Sequence, residues 1–342
     1  MNQTSPAGQG APTPVHFFEA VNAFQKTEAL KAAIQLNVFT AIDEGRQTAA
    51  EIAQRCETSE RGMRILCDFL TIMQFLTKTG DRYSLTQDSA AFLSKRSPAY
   101  LGGALDFLYN EELRKNFSDL AGAVRKGGTT AEGQGAIEPE NPIWVDFARA
   151  MAPIMTMPAA LIAKAVGAES GQKWKVLDIA AGHGLFGLNI AKFNPNAQIH
   201  ALDWGIVLQV AKENATKMGL ADRYHPLPGN AFEVPLGSDY DLILLTNFLH
   251  HFDVPTCEGL LRKIHAALKP GGRVVTFEFI PNEDRVSPPN AAFFSVVMLV
   301  MTPSGDAFTF SQLDRMFKNA GFATNQLIPL IPDMSSIVIS IK

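Results

Sequence analysis

Val176 to Gly187 reads VLDIAAGHGLFG. Apolar Val176 and Leu177 lead into Asp178, a run of small residues holding Gly182, Gly184 and Gly187 follows, and Leu188, Ile190 and Ala191 then fall at helical spacing. That order predicts a strand, a tight glycine turn and a helix start. Glycine suits the turn because a backbone without Cβ bends sharply and lets a ligand approach the main chain and the helix N-terminus. The segment Gly182 to Gly187 also fits the dinucleotide pattern G-x-G-x-x-G, with Asp203 downstream, so a nicotinamide-dependent oxidoreductase is one reading. An acid directly before the turn, and a long helical region ahead of the unit, favour another nucleoside ligand.

Downstream the rhythm is strand, helix, strand. Strands are read at Val176 to Asp178, Ile199 to Asp203, Tyr224 to Leu227, Leu242 to Leu245 and Arg273 to Phe279, with closing strands at Gln326 to Leu330 and Ser336 to Ile341. Helical patterns cover Gly187 to Phe193, Ile206 to Met218, Thr256 to Leu268 and Asp314 to Asn319. The alternation predicts an α/β domain, a Rossmann-like doubly wound sheet with helices on both faces.

Upstream, Val15 to Phe39 carries apolar residues at helical spacing and predicts a long or broken helix with a wide apolar stripe. Thr48 and Glu51 fit a capping box, Thr58 and Ser59 can cap the next helix, and Phe75 to Leu85 reads as a hairpin around Gly80 and Asp81. Helix, turn, helix and hairpin make a winged helix. Between Ala41 and Ser97 eight acidic residues balance eight basic ones, which leaves no basic stripe for phosphates and points to a dimerisation module. Gly127 to Asn141 is nearly free of apolar residues and reads as an exposed loop at a domain boundary. After it Trp144, Phe147, Met151 and Met155 fall on one side of a helix, either as core or as the lid of a pocket.

The chain of 342 residues carries a formal charge of -4, with 46% hydrophobic residues, enough for a small core and an ordinary one. At a pI near 6.0 nothing in the charge calls for nucleic acid or an anionic membrane. Three cysteines without metal-ligand spacing read as reduced thiols of a cytoplasmic protein. Residues 1–14 have neither a basic nor an apolar leader region and read as a disordered tail. The apolar run Ala291 to Met301 is far shorter than the ~20 residues of a membrane span.

In a doubly wound sheet the ligand sits beyond the carboxyl ends of the strands. Asp178, Ala180, Gly182 and Gly184 lie there, as do Asp203 with its neighbour Trp204, and Asn230, Ala231 and Phe232. Asp203 can accept ribose hydroxyls; Asn230 and Phe232 suit the edge and face of an adenine. The strand ending at Leu245 runs into Asn247, His250 and His251. The pair lacks the companion ligands of a zinc site, so no metal is expected, whereas an imidazole can take a phenolic proton.

The stretch Asp178 to Gly184 resembles the first motif of the S-adenosylmethionine-dependent methyltransferases, D/E-x-G-x-G-x-G, with Ala180 where a glycine is usual. Alanine fits such a turn where positive φ is not needed. Leu249 to Phe252, Lys269 to Gly272 and Phe277 to Phe279 are similar to segments of the small-molecule O-methyltransferases of bacterial, plant and hydroxyindole type. The resemblance implies a class I methyltransferase fold behind a winged-helix dimerisation domain, S-adenosyl-L-methionine as cofactor and a homodimer. It places the general base on His250 and a carboxylate that orients it on Glu278. The family's second flanking glutamate falls at Ala307, with Asp306 beside it, and its acid after the third strand falls at Asn230.

The implied organisation is a winged-helix domain over residues 15–105, helical linker and pocket helices over 106–171, and a catalytic domain over 172–342. The implied reaction is methylation of a hydroxyl on a small aromatic metabolite, of the kind found in secondary metabolism. The pocket is expected to draw on Trp144, Phe147, Met151, Phe294 and Met298, because an aromatic acceptor needs flat apolar walls. Methylation at nitrogen or carbon, or a scaffold that has kept the fold without catalysis, stay open at this level.

Overall fold

The computed structural model describes residues 12–342, which divide into two units after Leu105. The reading of residues 1–11 as disordered tail lies outside the described residues.

The first unit carries the helices Val15–Gln35, Val38–Asp43, Ala49–Arg55 and Glu60–Ile72, then β1 (Leu76–Thr79) paired antiparallel with β2 (Arg82–Leu85), then the helix Gln87–Phe92. The first apolar stripe is broken where Asn37 takes φ +58, a conformation asparagine tolerates. Thr48 and Glu51 close a full capping box. Thr48 Oγ1 accepts from Glu51 N at 3.3 Å and the Glu51 carboxylate accepts from Thr48 N at 2.9 Å and Gln47 N at 3.0 Å. These donors hold the Glu51 carboxyl down at about 2. Phe39, Ile52, Met63, Leu70, Leu76 and Tyr83 fill the core. Yet Val15, Phe17, Phe18, Val21 and Phe24 on the first helix stay 52% to 64% exposed.

The second unit is built on a seven-stranded sheet. Its strands are β3 (Lys175–Ile179), β4 (Gln198–Asp203), β5 (Tyr224–Pro228), β6 (Tyr240–Thr246), β7 (Leu268–Glu278), β8 (Thr324–Ile331) and β9 (Ser335–Ile341), in the order β5-β4-β3-β6-β7-β9-β8. The first five run parallel, and the β8–β9 hairpin adds an antiparallel edge on β7. Every strand expected from the sequence is present. β3 and β6 are buried almost throughout because helices cover both faces. The chain order reverses between β3 and β6, which makes the ends of those strands the ligand crevice.

Two helices fix that crevice. Leu185–Phe193 lies so close to the sheet that a Cβ on Gly187 would come within 2.6 Å of Ile199 Cγ2 and 2.9 Å of Asp178 Oδ2. Ile143–Ala165 packs on Leu185–Phe193 and Gly205–Lys217 and contributes Ala159, Ile162 and Ala163 to the core. By length and composition it is long and apolar enough to cross a bilayer, which the reading from the sequence did not single out.

The segment Gly127 to Asn141 is not simply an exposed loop. Gly128, Thr129, Gly135 and Ala136 are buried, and Thr129 N donates to Thr302 O at 2.8 Å. A Cβ on Gly128 would stand 2.1 Å from Pro303 O, and one on Gly135 2.5 Å from Met301 O. The loop packs through bare backbone, so its lack of apolar side chains concealed its burial. It also lies inside the second unit rather than at the division between the two.

Helix propensity alone makes Gly187→Ala worth about 1 kcal/mol of added stability. The contacts above reverse the sign, since overpacking of this kind costs about 1–3 kcal/mol. Thermal unfolding of Gly187→Ala is therefore expected below wild type, and a higher melting temperature would contradict the close approach.

Candidate active site

The turn after β3 places three residues, Ala180, Gly182 and Gly184, in the left-handed region before its helix begins. Ala180 has φ +53 and Gly182 φ +56, so the alanine sits where positive φ is needed and carries strain that glycine would not. This corrects the expectation that alanine meets no such demand there. Gly184, at φ +74, is the N-cap of Leu185–Phe193. A Cβ on Gly182 would find nothing nearer than Ala180 O at 3.9 Å, so this backbone lies open.

Asp203 at the end of β4 holds the turn from the other side. Its Oδ2 accepts from Gly182 N at 2.8 Å and its Oδ1 from Trp204 N at 2.7 Å, while burial raises its carboxyl to about 6 against those two donors. Each oxygen keeps a lone pair for a further hydroxyl. Asp178 does a different job. It is fully buried, takes Gly187 N at 2.9 Å, and is pushed up to about 8, first by burial and then by Asp203. It therefore fastens the helix to the sheet, and neither it nor Gly184 lines the cavity.

The cavity, of about 300 Å³, opens on Ala180, Gly182, Asp203, Trp204, Asn230, Ala231, Phe232 and Asn247. Asn230 Oδ1 accepts from Phe232 N at 3.0 Å and its Nδ2 donates to Glu233 Oε1 at 3.0 Å, and Lys263 Nζ clamps the same loop through Ala231 O and Val234 O. Asn247 turns at φ +52, with its N–H on Phe277 O at 2.7 Å. Trp144 and Phe147 form a further wall, their rings 5.4 Å apart, and Trp144 Nε1 donates to Ala136 O at 2.9 Å. Met151, Phe294 and Met298 are not among the lining residues. Met298 is buried in its helix, and Phe294 stacks on Phe279 at 4.0 Å.

Beyond β6 the residues Leu249 to His251 form a single tight turn held by Glu278 at the end of β7. Glu278 Oε1 accepts from Phe248 N at 3.0 Å and Leu249 N at 2.9 Å, and its Oε2 meets His250 Nδ1 in a short contact. Both side chains are buried. The His250 ring lies against His251 at 4.2 Å and meets the edge of Phe294 at 4.8 Å. His251, not His250, is the imidazole that lines the cavity. Ala307 is buried, whereas Asp306 donates its backbone N–H to His250 O and its carboxylate accepts from Arg285, so it does not flank the imidazole.

Some lining residues were not legible as such. His183, the variable position of the glycine turn, is buried, and burial lowers its pKa to about 4. Its Nδ1 takes Leu185 N at 3.1 Å, so a neutral ring carries its proton on Nε2. Gln134, Ile137 and Pro139 come from the loop read as exposed, and no periodic signal marks them. Among the described residues no cluster of three or more His, Cys, Asp or Glu side chains could hold a metal ion.

A cavity at the switch point of a doubly wound sheet, open to bare backbone and rimmed by a carboxylate with lone pairs to spare, defines a nucleoside-binding site. Known proteins narrow that class. A model of the O-methyltransferase domain matches residues 117–323, and one of the O-methyltransferase dimerisation domain matches residues 18–95. A protein from Nostoc punctiforme described as an O-methyltransferase is 52% identical, with a TM-score of 0.93 over 97% of this chain and 100% of that one. The 3-hydroxy-5-methyl-1-naphthoate 3-O-methyltransferase of Streptomyces sahachiroi is 25% identical over 98% of this chain and 99% of its own length. Human N-acetylserotonin methyltransferase, solved with S-adenosylmethionine, shares the fold at a TM-score of 0.83 and 23% identity, over 98% of this chain and 99% of its own.

The chain belongs to the O-methyltransferase family. It is a methyltransferase, its cofactor is S-adenosylmethionine, and the open backbone at Gly182 beside Asp203 fits that nucleoside.

A carboxyl whose folded pKa lies above its unfolded value binds its proton more tightly in the native state, so its contribution to stability falls as pH rises between the two values. For Asp178 that window runs from the ordinary aspartate value of 3.8 to about 8. The stability of wild type relative to Asp178→Asn, from denaturant unfolding, is expected to decline from pH 5 to pH 8. A difference that is flat or rises would show that Asp178 titrates normally.

Proposed function

We propose that this methyltransferase acts on a phenolic hydroxyl of a small aromatic molecule, with His250 as general base. The buried contact between His250 Nδ1 and Glu278 carries the reading. It fixes the ring and leaves Nε2 as its remaining nitrogen. Glu278 is itself held by two backbone donors, so it can steady the imidazolium that forms when His250 takes the hydroxyl proton.

When bound, S-adenosylmethionine supplies an electrophilic methyl group on a sulfonium. In this reading Ala180, Gly182 and Asn247 present the backbone that receives it, and Asp203 with Trp204 holds the ribose. Asn230, Ala231 and Phe232 enclose the adenine. Asp178 and Gly184 shape the turn from behind. Trp144 and Phe147, joined by Ile137 and Pro139, are flat and apolar as an aromatic acceptor requires. The name of the Streptomyces relative, which places a methyl on a naphthoate oxygen, supports the same choice of acceptor. Holding the two reactants together supplies much of the rate and the base a further factor of about 10² to 10⁴.

The homodimer belongs to this proposal. Five large apolar residues exposed on Val15–Gln35 form a patch that calls for a partner surface, and the matched dimerisation model covers most of that helix. The charge balance of the first unit speaks against nucleic acid, a membrane has no part in the reading, and three free cysteines fit a reducing cytoplasm.

Two measurements check the proposal. His250→Ala is expected to bind S-adenosylmethionine as wild type does in calorimetry while transfer of labelled methyl to phenolic acceptors falls about 10² to 10⁴-fold; undiminished turnover would remove the base. Sedimentation at low micromolar concentration is expected to show a dimer that Phe17→Ser combined with Phe24→Ser converts to monomer, and a monomeric wild type would contradict the assembly.

A further inference from the structure

We propose that His251 orients the acceptor by taking a hydrogen bond from a second O–H or N–H group beside the hydroxyl being methylated, which makes aromatics with two adjacent donors the favoured substrates. The inference rests on the reading of His250 as the base.

A carbonyl oxygen can only accept. His251 Nδ1 stands 3.1 Å from Phe248 O, so Nδ1 carries the proton there and Nε2 of the neutral ring holds a lone pair. Burial and the neighbouring His250 hold the pKa of His251 well below the ordinary value, which keeps the ring in that neutral form. The ring is also locked in place. It packs against Trp144 at 5.4 Å, His250 at 4.2 Å, Phe248 at 6.3 Å and Phe252 at 6.1 Å.

His251 lines the cavity, and its Nε2 has no hydrogen-bond partner among the described residues, nor is it one of the sealed, unsatisfied side-chain atoms. A phenyl ring would satisfy the same aromatic neighbours without bringing a polar atom to the wall. The imidazole therefore gives the pocket something packing does not require, an acceptor fixed in direction and protonation state.

His250 shares this arrangement. Its Nδ1 is committed to Glu278, as that of His251 is to Phe248 O, and the two rings are neighbours, with the His251 ring on the cavity wall and the His250 ring directly behind it. A monophenol answers one of them. An ortho-diphenol, or a phenol with an adjacent amine, answers both, and an acceptor atom left unanswered in a closed site penalises the poorer ligand.

The test uses the full chain loaded with S-adenosylhomocysteine and two flat probes that differ by one hydroxyl, 2,3-dihydroxynaphthalene and 2-naphthol. Calorimetry should give the diol on the order of tenfold tighter binding, the ratio that one well-placed hydrogen bond confers. His251→Phe should bring the two within about threefold by weakening only the diol, and His251→Gln, which keeps an acceptor oxygen near the position of Nε2, should recover part of the preference. A residue that merely supported the fold would weaken both probes together. Equal affinity for the probes in wild type, no binding of either, or an unchanged ratio in His251→Phe overturns the proposal. Failure of the base reading appears elsewhere, as methyl transfer by His250→Ala with the probe ratio intact.

Discussion

One buried carboxylate holds the reactive end of the second unit together. Glu278 stands at the last position of β7 and receives three donors, the backbone amides of Phe248 and Leu249 and the ring nitrogen of His250. A charge taken out of water is tolerated only when it is paired and hydrogen-bonded, and here the pairing joins the ends of two neighbouring strands. The turn after β6 has no regular helix to stiffen it, so its geometry is that of its anchor. Removing the carboxylate would leave two amides and an imidazole without their acceptor in a dry site.

The sheet places that anchor beside the cavity. β3 and β6 are neighbours running in the same direction, so the glycine turn after one and the histidine turn after the other leave the sheet at the same end. Asp203 reaches across from β4 to hold Gly182, and Asp178 fastens the helix behind the turn. Two aspartates, both raised by burial, thus divide the work: one faces the cavity and the other faces the core. The strain at Ala180 is accepted within a turn fixed on both sides.

Much of this was legible in the residues. The order of strands and helices showed the sheet, because buried parallel strands leave long apolar runs, and the acids and amides at their ends pointed to the crevice. Glu278 and His250, assigned by resemblance, do lie in contact. What stayed hidden depends on backbone conformation or distant packing. Nothing in the letters marks Ala180 as left-handed. Gly127 to Asn141 looked exposed because its burial is carried by glycine and carbonyl groups, and with it went the contribution of Ile137 and Pro139. Met151 shares the helical apolar pattern of Trp144 and Phe147, Phe294 and Met298 lie in a separate apolar helix, and periodicity cannot tell a core side chain from a pocket wall. Asp178 sits in the motif but turns inward, a distinction that only the approach of Gly187 reveals.

On the proposed reading, a sulfonium donor lodged against the bend at Gly182 has its methyl within reach of a hydroxyl presented to His250. A crystal structure with S-adenosylhomocysteine and a phenolic acceptor tests it most directly. The ribose is expected on Asp203, the purine beside Phe232, and the acceptor oxygen hydrogen-bonded to Nε2 of His250. A nucleoside bound elsewhere, or an acceptor oxygen kept from His250 by the rings of His251 and Phe294, would contradict it.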